Sequence, residues 1–267
     1  MMCDLMVPAD TPPGNTLTHA NLADAGVHAC VWHLESLLMK PGLEVLLQFD
    51  TLTSYTGWQG LTAVNGARLS FQASGSCRVR SVFDGSSQTF TAERIEVLLK
   101  TLAPNVLVLP QGFSLSLNAP STRIYSDTGE HAGIFARVQT VSEAEAKARQ
   151  FSGQPMYLAS NAPFPVLVEM AAIGIEWLES DTPAEDAHAG IVYTTEGAIN
   201  LAAPEYAMDY EVVDEACTCA TCSTPFSRAA LHHLYTHTPL LAKRLLVTHN
   251  LAFAVRQMRT PGRVLIS

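Results

Sequence analysis

The chain predicts an α/β fold, with stacked strand–helix units around a mainly parallel sheet that is either closed into a barrel or doubly wound. Two observations predict it. Short apolar runs alternate with segments of helical periodicity through the middle of the chain, as repeated strand–helix units require. With 267 residues at 48% hydrophobic content, one large core can be buried, so residues 1–267 are expected to form a single domain.

The elements follow in order. Thr91 opens a helix whose Ile95, Leu98, Leu99 and Leu102 recur on one face, and Val106-Leu107-Val108-Leu109 then reads as a buried strand. Residues 134–138 read as the next strand, and Ser142 with Glu145 has the spacing of a capping box for a helix through Gln150. Met156-Tyr157-Leu158 is a strand, 166–172 a helix stopped at Gly174, and 175–178 another strand. Residues 191–194 and 198–201, joined around Glu196-Gly197, form a hairpin that departs from the repeat.

A different chemistry begins at Cys217-Thr218-Cys219-Ala220-Thr221-Cys222. Three thiols within six residues can wrap one ion, and a histidine on the following helical segment supplies a fourth ligand, which closes a tetrahedral zinc shell and leaves no position for a catalytic water. His232, His233, His237 and His249 all lie on that segment, and spacing alone does not choose among them. Cys3, Cys30 and Cys77 are scattered singly and read as small buried or surface residues. Nothing points to an oxidising compartment.

The formal charge of −9 argues against indiscriminate coating of nucleic acid, and against a DNA partner. Yet residues 223–267 carry six bases (Arg228, Lys243, Arg244, Arg256, Arg259, Arg263) and no carboxylate, leaving ten bases and 25 acids elsewhere. Phosphate contacts are therefore expected near the cysteine module and a basic C-terminal helix at 250–260; the alternative is a solvated basic face. No apolar run approaches the roughly 18–20 residues of a membrane span, and the N-terminus lacks the pattern of a signal peptide, so the expected address is cytoplasmic.

Four stretches carry a resemblance, and their order is that of one family. Leu17-Thr18-His19 is a weak match. Val82-Phe83-Asp84-Gly85-Ser86 with Phe90-Thr91-Ala92-Glu93 is an Asp-Gly-Ser loop and helix start. Gly174-Ile175-Glu176-Trp177-Leu178-Glu179-Ser180 precedes Gly190-Ile191-Val192-Tyr193-Thr194, and the cysteine triplet is followed by Leu245-Leu246-Val247-Thr248-His249-Asn250-Leu251. Together they resemble the tRNA-guanine transglycosylase (queuine tRNA-ribosyltransferase) family over about two thirds of the chain. The resemblance implies a TIM-like (β/α) barrel, here shortened below eight units, with an inserted zinc subdomain at 214–250. It also implies one structural Zn2+ on Cys217, Cys219, Cys222 and His249.

At the reacting centre the chain departs from the family. Transglycosylation needs a carboxylate nucleophile and a second carboxylate for proton transfer. Where the family has its nucleophilic Asp this chain has Glu179, one methylene longer, and the second catalytic Asp falls on Ala63. The base-recognising Asp and Cys fall on Gln111 and Phe113, and the guanine-binding Gly-Gly-Leu turn has no counterpart between Gly133 and Ser160, where a strand–helix unit is expected to be lost or shrunk. Leu178-Glu179-Ser180 is similar to the non-catalytic accessory subunit of the eukaryotic enzyme. The resemblance therefore implies no catalytic residues and a heterodimer with a catalytic queuine tRNA-ribosyltransferase subunit that exchanges guanine for queuine at position 34 of tRNA. It also implies a cytoplasmic protein, with peripheral attachment at the mitochondrial outer membrane as in the animal subunit. The alternative is an active transglycosylase or nucleoside hydrolase that uses Glu179, with Asp181, Glu185, Asp186 and His188 as nearby polar groups; otherwise those four form a solvated loop.

Overall fold

The computed structural model describes residues 3–81, 84–115, 122–224 and 226–259. Strand β1 (Asp4–Pro8) leads through α1 (His19–Asp24) to β2 (Ala29–His33). The short helices α2 (Leu34–Leu37), α3 (Leu43–Leu46) and α4 (Leu52–Thr56) return the chain to β3 (Leu61–Asn65). An antiparallel hairpin, β4 (Ser76–Arg80) and β5 (Ser87–Thr91), precedes α5 (Ala92–Leu102) and β6 (Val106–Val108). Then come β7 (Arg123–Ser126), β8 (Gly133–Arg137), α6 (Val141–Gln150), β9 (Met156–Ala159), α7 (Phe164–Ala172), β10 (Trp177–Glu179) and α8 (Thr182–His188). A second hairpin, β11 (Ile191–Thr194) and β12 (Gly197–Asn200), is followed by α9 (Ala220–Ser223), α10 (Arg228–His237) and α11 (Pro239–Arg259).

Strands β1, β2, β3, β6, β7, β8, β9 and β10 lie side by side and all pair in parallel, and β10 returns to β1 with Glu179 opposite Met6. The barrel is thus closed and eight-stranded, which overturns the expectation of fewer than eight units. The economy is in the helices. Among the described residues no helix joins β6 to β7, and β7 reaches β8 through residues 127–132 alone. Such a connection is possible because β7 spans only four residues, about 13 Å at the usual rise, while six extended residues reach about 20 Å. Between Gly133 and Ser160 the unit expected to be lost or shrunk is present as β8, α6 and β9.

Alternation along each strand divides the side chains between two layers. Met6, Ala29, Val31, Ala63, Val106, Val108, Tyr125, Phe135, Tyr157, Ala159 and Trp177 pack inside the barrel, small residues facing large ones. The alternate residues, among them Leu5, Val7, Cys30, Trp32, Val64, Leu107, Ile134, Leu158 and Leu178, face the surrounding helices in the larger core. Because both faces of the strands are covered, they read as apolar runs rather than polar–apolar alternation.

Several local expectations hold in detail. Thr91 caps α5, whose buried residues are Ile95, Leu98, Leu99 and Leu102. Helix α7 ends before Gly174, whose φ of +93° suits glycine. The capping box of α6 is Thr140 with Glu143, two residues earlier than Ser142 with Glu145: the Thr140 hydroxyl accepts from the Glu143 amide, and the Glu143 carboxylate accepts from the amides of Thr140 and Gln139. Helix α11 runs unbroken from Pro239 to Arg259, through Asn250, so no helix boundary divides the cysteine module from the basic segment.

Candidate active site and metal centre

Glu179 ends β10 at the carboxyl end of the barrel strands, where barrel enzymes carry their chemistry. It is 5% exposed. Its Oε1 lies 3.1 Å from His33 Nε2, and its Oε2 accepts from Asn65 Nδ2 at 2.7 Å and from the Tyr157 hydroxyl at 2.7 Å. On its far side, His33 Nδ1 lies 2.8 Å from Asp10 Oδ1, and the His33 amide donates to Asp10 Oδ2 at 2.9 Å. The barrel builds this cluster by periodicity. His33 stands two residues beyond inward-facing Val31, Asn65 two beyond Ala63, and Glu179 two beyond Trp177, so each continues an inward row at its strand's end. His33 and Asn65 are also register partners.

With a carboxylate on each ring nitrogen, His33 can satisfy both only by donating from both, which is the imidazolium form. Burial opposes that charge, but the hydrogen bonds from His33 to Asp10 and Glu179, with their charges, outweigh it and raise the His33 pKa to about 10. Burial likewise pushes the Glu179 and Asp10 carboxyls up, and hydrogen bonds with His33 more than reverse it, so both are held below their ordinary values. Two carboxylates and one imidazolium thus lie in a row. Three of about four acceptor sites on Glu179 are occupied, and its charge is balanced by His33.

The cavity above Glu179 is small, about 70 Å³, and is lined by Arg68, Arg137, Ser160, Ser180 and Asp181 among others. Binding sites for small molecules usually run to about 300–1,000 Å³. Ala63 lies wholly inside the barrel, and the polar group that β3 sends to the mouth is Asn65. Gln111 is exposed and Phe113 packs on Phe71 with ring centroids 4.8 Å apart; neither lines the cavity. Asp10, His33, Asn65 and Tyr157 were not singled out from the sequence. The available signal was a polar residue placed two positions after an apolar one at the end of a buried strand.

Asp181, Glu185, Asp186 and His188 do not form a solvated loop. Asp181 precedes α8 and the other three lie within it. Asp181 accepts from the Thr11 hydroxyl at 2.7 Å, and burial raises its pKa to about 6. Asp186 accepts from the Tyr193 hydroxyl at 2.6 Å, and His188 Nε2 lies 2.6 Å from the Thr16 hydroxyl. Of the four, only Asp181 lines the cavity.

The second centre lies where α9 meets α11. Cys217, Cys219, Cys222 and His249 bring their ligand atoms within 4.8 Å of one another. His249 Nδ1 is 3.2 Å from Cys222 Sγ and 3.7 Å from Cys219 Sγ, close to the roughly 3.3–3.8 Å between ligand atoms of a tetrahedral zinc with the usual bond lengths. His249 Nε2 donates to the Tyr193 carbonyl at 2.7 Å, which leaves the Nδ1 lone pair facing the sulfurs, the tautomer a metal requires. Thr221 donates to the Leu245 carbonyl at 2.7 Å and ties the cysteine loop to α11. Three soft thiolates and one imidazole fit zinc, with no fourth position for water. The rival histidines are directed elsewhere: His232 Nδ1 meets the Leu201 carbonyl at 2.8 Å, His233 Nε2 meets the Ala207 carbonyl at 3.2 Å, and His237 is exposed outside the cluster.

The basic segment does not present the open row of cations expected of it. Arg228 bridges Asp209 and Glu211, Arg256 pairs with Asp214 and donates to the Ala216 carbonyl, Arg259 pairs with Asp4, and Arg244 donates to Asn21. These arginines fasten the module and α11 to the barrel. Arg263, residue 260, and Val82-Phe83 of the Asp-Gly-Ser loop lie outside the described residues.

Comparison with known proteins now decides the family. The family model described as queuine tRNA-ribosyltransferase matches residues 131–261, which span β8 to β10, Glu179 and all four cluster residues. Queuine tRNA-ribosyltransferase of Desulfosudis oleivorans is 25% identical over 94% of this chain and 83% of its own length. That of Solidesulfovibrio magneticus is 26% identical over 89% and 80%. The chain belongs to the queuine tRNA-ribosyltransferase family. A third relative, the queuine tRNA-ribosyltransferase of Clostridium acetobutylicum, is 35% identical over 38% of this chain and 26% of its own length. Within this family frame the closed barrel and the cysteine–histidine cluster agree with what the sequence resemblance implied. No described helix is long and apolar enough to cross a membrane.

Proposed function

We propose that this chain is a non-catalytic accessory subunit of a two-subunit queuine tRNA-ribosyltransferase in the cytoplasm, supporting guanine-to-queuine exchange at the wobble position of tRNA while a catalytic partner performs it. The observation that carries this reading is the state of Glu179. Its charge is neutralised by His33, its Oε2 accepts from both Asn65 and Tyr157, and the cavity above it is about 70 Å³. A nucleophile must be exposed and activated toward its substrate; this carboxylate is bound inward. The four-ligand cluster, with zinc bound, would supply folding energy and hold α9 against α11. The domain is proposed to be one unit, with the zinc subdomain at 214–250.

The test is guanine exchange into tRNA by the purified chain, alone and after mixing with a catalytic homologue from the same organism. Inactivity alone with activity on mixing supports the accessory role. No effect on the homologue's activity, stability or tRNA affinity rules it out.

One observation favours a second reading, an enzyme of altered chemistry: Asp10, His33 and Glu179 form a buried acid–base row at the mouth of the barrel, a place where perturbed groups commonly serve catalysis. In that case the isolated chain exchanges or hydrolyses a nucleoside, and Glu179→Gln abolishes it.

A further inference from the structure

Beside the barrel mouth, outside the closed cluster, lies a second and much larger cleft of about 600 Å³. It is formed by the segments that follow β1 and β2, with contributions from α4, the loop after β3, and β4. Its volume lies in the range of ordinary ligand sites.

Three features of its lining belong together. Trp32 and Tyr55 give it aromatic surface. Lys40, Arg68 and Arg80 give it cationic groups. Glu35 supplies an unfilled acceptor: Oε1 receives Arg68 Nη1 at 3.2 Å, whereas Oε2 is buried with no hydrogen-bond partner. A buried carboxylate oxygen left unpaired costs about 1–3 kcal/mol or more, and such an atom calls for a specific explanation. A ligand N–H would satisfy it. Flat aromatic surface, one N–H acceptor and several cations together match a nucleoside phosphate.

We propose that this cleft binds a nucleotide whose base carries a ring N–H, as guanine and uracil do, with Glu35 Oε2 accepting that hydrogen, the base against Trp32 and Tyr55, and the phosphate toward Lys40 and Arg80. Arg68 holds the other carboxylate oxygen and so fixes the direction in which Glu35 accepts. The inference goes beyond the accessory reading and does not depend on it, since binding is read on the purified chain with neither partner nor tRNA present.

Equilibrium binding of GMP, UMP, AMP and inorganic phosphate to the full chain tests it. GMP and UMP are expected to bind with dissociation constants below about 1 mM, and AMP, which has no ring N–H, about tenfold or more weaker. This comparison needs no variant. In Glu35→Gln, Arg68 retains the amide oxygen and turns the NH2 toward the ligand, so GMP is expected to weaken to the level of AMP while AMP is unchanged, at a melting temperature near that of the parent. Tyr55→Ala should weaken all three nucleotides alike. Equal affinity for GMP and AMP, binding of inorganic phosphate as tight as that of GMP, or no nucleotide bound at millimolar concentration would each overturn the proposal.

Discussion

His33 Nε2 lies 3.1 Å from Glu179 Oε1, and the side chains are 2% and 6% exposed, so each is the other's main compensation for burial. Breaking a buried charge pair from one side strands the other charge and costs on the order of 3–5 kcal/mol, whereas removing both charges is often close to neutral. His33→Ala should therefore lower stability by about that amount, and His33→Ala with Glu179→Gln should recover a large part of the loss. Denaturant melts of the two single variants and the double variant measure the coupling; strictly additive losses would contradict the assignment.

The same pair sets the pH dependence. His33 is raised from 6.5 to about 10 in the folded state, so its contribution is complete below pH 6.5 and is lost as pH climbs toward about 10. Asp10 and Glu179 are lowered, so their contribution is present above the ordinary carboxylate range and is lost as pH falls through their folded values. Stability should peak between about pH 5 and 6.5 and decline on the alkaline side by up to about 1.4 kcal/mol per pH unit. In His33→Ala the alkaline decline should be largely gone, and its persistence in that variant would assign it to other groups.

Asn65 donates to Glu179 Oε2 at 2.7 Å. Asn65→Asp replaces a donor with a second carboxylate at that distance, which removes a charge-assisted hydrogen bond and adds repulsion between like charges. A loss of more than about 2 kcal/mol at pH 7 is expected, shrinking as pH is lowered and one carboxyl takes a proton. Equal losses at pH 7 and pH 4.5 would show that the effect is steric.

Much of this architecture was legible because local rules and tertiary packing agree. The face of α5, the hairpin of β11 and β12, and the cysteine cluster each follow from spacing alone or from spacing with a recognised motif. The barrel mouth was less legible. Glu179 stood out only by resemblance, while Asp10, His33, Asn65 and Tyr157 come from four separate segments, and only closure of the sheet makes them neighbours. Strand count failed for a related reason: chain length counts residues in helices, and this chain economises on helices while keeping every strand. The basic segment misled because composition does not reveal partners; the acids that engage Arg228, Arg256 and Arg259 lie outside it, at Asp209, Glu211, Asp214 and Asp4.

Asn250 is fully buried between α11, α8 and β11. Its amide donates to the carbonyls of Pro183 and Ile191, each at 3.0 Å, and its oxygen accepts from the Tyr193 amide at 3.2 Å. Asn250→Ala leaves three buried backbone groups without partners, for a cost of about 3 kcal/mol or more. Metal content should stay near that of the parent, since His249 keeps its own bond to the Tyr193 carbonyl. A drop in metal content in step with the drop in stability would mean that Asn250 acts through His249 instead.

Cys219 separates the metal from the rest of the packing. Its sulfur lies 3.7 Å from His249 Nδ1, and it stands at the start of α9, whose Thr221 is bonded to α11. Cys219→Ser preserves size but substitutes a harder, far less acidic ligand, so a zinc held by this cluster should be lost or greatly weakened. Zinc content and melting temperature should then fall together, and a strong chelator applied to the parent protein should lower the melting temperature to a similar degree, because binding free energy is folding free energy when the site forms only in the folded state. A variant that melts with the parent while carrying no metal would leave the hydrogen bonds of Thr221, His249 and Asn250 to hold the module unaided, and the metal would have no structural role.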